Sequence, residues 1–174
     1  MGAMPRRIVA TVIVLLALGA GVAPAGAAGD RPGASVSTVR GSWAQVVNCL
    51  FTRYDPSTGD FACVGGSTWQ GSWTGLTHYD VKGVHDMKTG DMRGTITETF
   101  VGTYLPDRSH GTLTMAHRFT IDGATSALHI DSEITGGDGD PTFRCSSGRV
   151  VWDGLAPGET GFGGYAGTWV HGCP

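Results

Sequence analysis

Between Thr77 and Ile134 the chain alternates apolar and polar residues almost without a break. A period of two belongs to a β-strand with one buried face, so this stretch predicts antiparallel strands. The face that should be apolar nevertheless carries Glu98 and His117. Because a buried charged or polar side chain needs a partner or a function, these two residues are the first candidates for a site.

Residues typical of turns divide the chain into hairpins. The pattern Asp-x-x-Thr-Gly-Asp occurs at 55–60 and again at 86–91. Aspartate hydrogen-bonds to its own turn backbone, and glycine accepts a positive φ. Asp122-Gly123 predicts a two-residue hairpin turn, and longer loops are expected over 105–110 and 136–141. The expected strands lie near residues 45–54, 60–70, 72–85, 92–104, 111–121, 125–135, 143–153 and 160–170.

Three of these turns predict a register, and all three assign the same residues to one face of the sheet. The expected cross-strand pairs are Asp86 with Asp91, Tyr79 with Glu98, Tyr104 with Gly111, Glu98 with His117, Ile121 with Ala124, and His117 with Leu128. The inner face then holds Tyr79, Val81, Ile96, Glu98, Phe100, Leu113, Met115, His117, Phe119, Leu128 and Ile130. The outer face holds His78, Asp80, Lys82, Thr95, Thr97, Thr99, Thr114, Arg118, Thr120, His129, Asp131 and Glu133.

The predicted fold class is all-β, with about eight antiparallel strands in an up-and-down barrel. A two-sheet sandwich would also hide one apolar face. Long hairpins joined to their nearest neighbours, together with 29 glycines for kinks and bulges, favour the closed barrel. A barrel of this size is either filled by side chains or holds one small ligand.

The first 27 residues are expected to be a signal peptide. Arg6 and Arg7 precede an apolar run, and Ala25-Gly26-Ala27 matches a small-residue cleavage site. A membrane anchor is the alternative, but the run is shorter than the ~20 residues that a spanning helix needs. We expect a secreted protein with a flexible Gly/Ser/Thr-rich leader at 28–41 and a single barrel domain at 42–174.

The four cysteines fit export, because an even number in a secreted domain predicts disulfides. Three connectivities are open. The turn at 55–60 favours Cys49–Cys63, which leaves Cys145–Cys173 to hold the C-terminus. Buried free thiols are the alternative.

Charge and motifs exclude several classes of partner. The net charge is −3 and no basic stripe is present, so neither nucleic acid nor an anionic membrane is expected as a partner. The second half of the sequence has no 18-residue apolar run, so no membrane span is expected after signal cleavage. Cys/His zinc spacing, a dinucleotide fingerprint and a P-loop are absent from the sequence, so we expect no metal and no cofactor. Asp138-Gly139-Asp140 has too few ligands for calcium and is expected to be a turn. The sequence favours no particular oligomeric state.

Several motifs resemble known barrels. Gly41-Ser42-Trp43, Gly71-Ser72-Trp73 and Gly167-Thr168-Trp169 are similar to the Gly-x-Trp element of calycins such as lipocalins and avidins. The run Gly71-Ser-Trp-Thr-Gly-Leu-Thr-His-Tyr-Asp-Val-Lys-Gly, the run Asp86-x-x-Thr-Gly-Asp-x-x-Gly-Thr-Ile-Thr-Glu-Thr-Phe-x-Gly and Phe119-Thr-Ile-Asp-Gly resemble bacterial allene oxide cyclase barrel-like proteins.

That resemblance covers roughly 49–169. It implies a small, often secreted barrel, and some barrels of this class guide ring closure in an apolar cavity. The functional residues of the plant enzymes have no matching positions here, so none is carried over.

The candidate site is the inward trio Glu98, His117 and Tyr79. It can be a structural hydrogen-bond network, it can orient a ligand, or it can act as a catalytic acid and base. The candidate ligand-binding residues are Tyr79, Glu98, Phe100, Met115, His117 and Trp73. Trp69, Trp73, Trp152 and Trp169 are expected in the core or at the barrel ends, with ligand walls as the alternative.

Three functions follow from this site. The first is binding of a small apolar molecule in the barrel. The second is a cofactor-free cyclase or isomerase, and the third is a solid structural barrel without a ligand. A cavity of about 300 Å³ or more that reaches Glu98 would favour the first two.

Overall fold

The computed structural model describes residues 33–157 and 160–173. The expected signal peptide, and the part of the expected leader that precedes residue 33, lie outside these residues. Eight strands account for most of the described chain. They are β1 (Ser35–Tyr54), β2 (Asp60–Gly71), β3 (Trp73–His85), β4 (Met92–Tyr104), β5 (Ser109–Ile121), β6 (Ala127–Gly139), β7 (Ser147–Leu155) and β8 (Phe162–His171), with one 3-10 turn at Pro141–Phe143.

Every strand pairs antiparallel with its neighbour in the sequence, and β8 pairs with β1 to close the barrel. The predicted all-β up-and-down barrel is therefore confirmed. The expected leader is wrong for residues 35–41, because they form the first part of β1. There Ser35 pairs with His171 and Gly41 with Tyr165 on β8, and Val39 is fully buried. These backbone hydrogen bonds complete the ring, which leaves β1 and β8 no open edge at this end.

One turn design serves three hairpins. In the turns that begin at Asp55, Asp86 and Asp122, the aspartate accepts backbone N–H bonds from within the turn, at 2.9 Å from Ser57, 2.8 Å from Lys88 and 2.7 Å from Thr125. The hydrogen bonds that these carboxylates accept from turn residues lower the pKa of all three carboxyls. In each turn the fifth residue has a positive φ: 77° at Gly59, 82° at Gly90 and 59° at Ser126.

Ser126 explains why the third turn was predicted wrongly. The Asp122-Gly123 dipeptide predicts a two-residue turn, and no glycine stands at the fifth position to indicate the longer one. Ser126 accepts the left-handed conformation there, so Ile121 pairs with Leu128 rather than Ala124. The loop before β5 is also shorter than expected, with Tyr104 opposite Ser109 instead of Gly111.

Both register errors are even numbers of residues, so they leave the two faces unchanged. Across the β3–β4 pair the predicted register is correct, with Tyr79 opposite Glu98. Glu98 lies opposite Met115 rather than His117, and His117 lies opposite Ser132 rather than Leu128. All residues predicted on the inner face are buried or half-buried, and the predicted outer face is exposed except for a half-buried Asp131.

The barrel interior has two unlike halves. One end is solid, and we call its buried cluster the aromatic plug. Its members are Val39, Trp69, Trp73, Phe100, Tyr104, Leu113, Met115, Ile134, Phe143, Val150, Trp152, Tyr165 and Trp169. Rings contact one another throughout it, with Trp69 stacked on Phe100 at 4.7 Å between centroids and tilted against Trp152 at 4.6 Å. The other half holds a smaller cluster around Phe61, Val81 and Phe119.

The predicted disulfides are both present. Cys49–Cys63 joins β1 to β2, and Cys145–Cys173 ties the chain after β8 to the β6–β7 connection, with Cα atoms 5.4 Å and 5.3 Å apart. Such bonds are typical of proteins in oxidising compartments. Within the described ranges, no helix is long and apolar enough to cross a membrane.

Candidate functional site

A cavity of about 190 Å³ occupies the half of the barrel that the aromatic plug leaves free. Its outer wall lies beside the three aspartate turns and the β7–β8 connection, where it is lined by Phe51, Met92, Ile121 and Thr160. Trp69 and Trp152 belong to the plug and also line the cavity, so they form its floor. The cavity reaches Glu98, but its volume is below the roughly 300 Å³ that we expected for a ligand-binding or catalytic barrel, the size of the smallest drug-sized pockets. It exceeds the 150 Å³ of an engineered apolar cavity that binds benzene, so a single-ring molecule fits.

Glu98 and His117 meet on the cavity wall. Glu98 lies opposite Met115, and His117 lies opposite Ile96. The Glu98 and His117 side chains therefore approach each other diagonally across β4 and β5, a distance that long side chains on one face can span. His117 Nε2 lies 3.0 Å from Glu98 Oε2, and the two side chains are 2% and 9% exposed. The inward placement of Glu98 and its contact with His117 are confirmed, although the direct cross-strand pairing is wrong. The contact has the distance of an ion pair but not the alignment of a hydrogen bond.

Two residues that the sequence analysis did not connect to this pair complete the network. Ser132 Oγ lies 2.5 Å from His117 Nδ1, and the indole Nε1–H of Trp152 donates to the same Oγ at 2.6 Å. An indole can only donate, so Ser132 accepts from Trp152 and has its own proton to give. If Ser132 donates to Nδ1, the imidazole proton is on Nε2, facing Glu98. The donated protons of Trp152, Ser132 and His117 then all point along this network toward the Glu98 carboxylate.

Tyr79 lines the cavity but does not bond to Glu98. Its hydroxyl donates to the carbonyl of Val47 at 3.3 Å. Burial, and then the negative charge of Glu98, raise the pKa of Tyr79 to about 12. The phenol therefore keeps its proton at any physiological pH, which suits a hydrogen-bond donor and not a general base.

The other three candidate ligand-binding residues lie in the aromatic plug. Trp73 and Phe100 are fully buried and Met115 is 1% exposed, and none of them lines the cavity. They support its floor through Trp69, which contacts both Trp73 and Phe100. The cavity wall is formed instead by inward residues nearer the turns, such as Ile96, Phe119 and Leu128. Periodicity identified these residues as inward but could not say which end of the barrel was open.

The arrangement offers hydrogen bonding and proton transfer in an apolar setting. Among the residues that the structure describes, no group of three or more His, Cys, Asp or Glu side chains is placed to hold a metal ion. Trp43 Nε1 on the cavity wall is buried and has no acceptor within the described part of the chain. A carboxylate, an imidazole and an indole N–H without an acceptor are thus among the polar groups on the cavity wall, together with Gln45, Ser67, Tyr79 and Thr160.

Replacement of Glu98 tests the network itself. Glu98→Ala should lower the free energy of unfolding by about 1–3 kcal/mol, because His117 Nε2 loses the one polar neighbour that the described residues give it in a buried site. Glu98→Gln keeps a polar group beside Nε2 and should cost less than about 1 kcal/mol. Urea denaturation measures both changes.

Glu133 provides the matched control, since it is an exposed carboxylate on the outer face of β6. Glu133→Ala should change the free energy of unfolding by no more than about 0.5 kcal/mol. Equal losses for Glu98→Ala and Glu133→Ala would show that the buried network contributes nothing to the fold.

The sequence matches no family model, and no curated protein matches it.

Proposed function

We propose that this barrel binds one small apolar molecule in its cavity, where Glu98 and His117 orient the polar group of that molecule. The observation that carries the proposal is the position of this buried pair on the wall of a mainly apolar cavity of about 190 Å³. A barrel with only a structural role gains stability by filling its interior, because empty space costs packing energy. Here one half is filled by aromatic rings and the other half is not.

The polar atoms of the cavity support the same conclusion. Buried N–H groups in proteins nearly always have acceptors. Trp43 Nε1 and His117 Nε2 both lack a hydrogen bond of good geometry to any described residue. A ligand acceptor atom could bond to either of them, and a ligand donor could bond to the Glu98 carboxylate. Apolar contact with Ile96 and Phe119 would supply most of the binding energy.

The proposal also includes secretion of the protein. The N-terminal sequence pattern of a signal peptide and the two disulfides support a protein that is secreted and acts outside the cell. The resemblance to bacterial allene oxide cyclase barrel-like proteins supports a cavity function within that setting, and we propose membership of that group on its motifs.

A cofactor-free cyclase or isomerase is the second candidate. It is favoured by the ordered chain from Trp152 through Ser132 and His117 to Glu98. A general base needs a group that holds its position and tautomer while a proton moves. Ser132 supplies this for His117, so the pair could take a proton from a bound molecule and return it elsewhere.

Ligand binding can be tested without knowing the natural ligand. Native mass spectrometry of the exported protein should reveal a co-purified small molecule, and toluene should bind the emptied protein with a Kd near or below about 1 mM. Chemical shift changes in an NMR titration should concentrate at residues of the cavity wall.

A cavity-filling variant is the control. Ile96→Trp places a large ring in the cavity and should abolish toluene binding, whereas Thr97→Trp on the exposed face of β4 should leave it unchanged. If toluene and other single-ring compounds fail to bind the wild-type protein, the barrel is structural and the proposed function is wrong.

A further inference from the structure

The Glu98 carboxylate is undersupplied with hydrogen-bond donors. Within the described residues, its one polar contact is the approach of His117 Nε2 at 3.0 Å, and the side chain is only 9% exposed. An ionised carboxylate has about four acceptor sites, and a buried one normally receives several N–H or O–H bonds. Glu98 also lines the cavity. A molecule that brings donors would therefore be held at this wall.

The same cavity is poorly suited to an anion. Among the described residues that line it there is no lysine and no arginine, and His117 is already paired with Glu98. A bound carboxylate or phosphate would lie close to a second negative charge in an apolar setting, where like charges repel strongly. The wall thus favours a neutral or a positively charged ligand.

Of a neutral and a positively charged ligand, the aromatic side chains of the cavity favour the positively charged one. Trp43, Trp69, Tyr79 and Trp152 all line the cavity. The faces of indole and phenol rings attract ammonium groups, most of all where water is excluded. An ammonium bound to Glu98 would thus have one carboxylate and several aromatic side chains around it, which offset its loss of water, although it offers no acceptor to Trp43 Nε1–H.

The open end of the barrel carries an excess of negative charge, which matches a cationic ligand. Its turns and strand ends, at 53–60, 85–93, 120–129 and 153–157, contain six aspartates against three lysine and arginine residues and two histidines. The aspartates are Asp55, Asp60, Asp86, Asp91, Asp122 and Asp153, and the basic residues are Arg53, Lys88, Arg93, His85 and His129, the last of which lies 2.7 Å from Asp153. An excess of negative charge around a cavity raises the local concentration of cations.

We propose that the ligand of this cavity is a small apolar amine of about single-ring size, bound with its ammonium on Glu98 and its apolar body against Ile96, Phe119 and the rings of the floor. This inference rests on the proposed function and adds the chemical class of the ligand. Glu98 selects for positive charge, while the volume and the apolar wall select for size.

Four probes of nearly equal size test it: benzylamine, benzyl alcohol, toluene and benzoate. Calorimetric titration of the wild-type protein at neutral pH should show benzylamine binding about tenfold or more tightly than benzyl alcohol, because its hydrogen bonds to the carboxylate are reinforced by charge. Toluene should bind more weakly still and benzoate should not bind. Benzyl alcohol is the strictest competitor, since its oxygen can also accept from Trp43 Nε1–H.

Glu98→Gln should reduce the preference for benzylamine over benzyl alcohol to within about threefold, whereas Glu133→Gln on the outer face should keep it in full. A second measurement needs only the wild-type protein: benzylamine should shift the ring NMR signals of His117.

Each outcome decides between the two proposals. If toluene or benzyl alcohol binds as tightly as benzylamine, the amine proposal is wrong and the cavity function stands. If none of the four probes binds, both are wrong. If the preference survives in Glu98→Gln, or the His117 signals do not move, the amine binds elsewhere and the proposal for this cavity is overturned.

Discussion

Reduction of both disulfides is expected to lower the free energy of unfolding by about 6 kcal/mol. Each bond closes a loop, with sequence separations of 14 for Cys49–Cys63 and 28 for Cys145–Cys173. Loops of this length restrict the unfolded chain enough to contribute about 3 kcal/mol each. Since a domain of this size is stable by only about 5–15 kcal/mol, the melting temperature should fall by roughly 15 °C or more.

Calorimetry with and without dithiothreitol measures this change. A variant with all four cysteines replaced by serine should melt at the temperature of the reduced protein and should not respond to the reductant. Peptide mapping that recovers four alkylatable thiols from the exported protein would contradict the prediction, because it would show that neither disulfide forms.

Phe100→Ala is expected to destabilise the barrel by about 3–5 kcal/mol. Phe100 is fully buried in the aromatic plug, stacked on Trp69 at 4.7 Å and in contact with Trp73. The rings around it are held on separate strands and cannot close the space that a phenyl group leaves. The free energy of unfolding from urea titration gives the size of the effect.

The next residue on β4 provides the comparison. Val101 points outward and is 49% exposed, so Val101→Ala also removes apolar atoms but leaves no internal space. Its cost should stay within about 0.5 kcal/mol. Similar losses for Phe100→Ala and Val101→Ala would mean that β4 does not present alternate residues to the two faces.

The division into inner and outer faces could be predicted because it depends on the parity of the register alone. The turn before β6 was misjudged by four residues, and the turn before β5 by two. Either error changes which residues face each other but leaves Phe119 inside and Arg118 outside. A register error of one residue would have reversed the faces, and the apolar pattern excludes it because it would expose the core.

The site was predicted only in part for the same reason. Glu98 and His117 stand out as polar residues at apolar positions, so their inward placement was readable from the chain. Ser132 is a small residue that β-strands carry on either face, and its bond to His117 depends on the true register of β5 and β6. The donor from Trp152 depends on β7 as well.

The amino-acid sequence by itself determined the strand class, the two faces and two of the three aspartate turns, because each follows from local periodicity or turn chemistry. It favoured one pairing of the cysteines without excluding the others. Only the tertiary structure decided that Trp73, Phe100 and Met115 fill one end of the barrel while Ile96 and Phe119 surround a cavity at the other. All five residues satisfy the same alternation. Whether an inward side chain meets another ring or empty space depends on what the opposite strands place at its level, and that level is set by the closure of all eight strands into one ring.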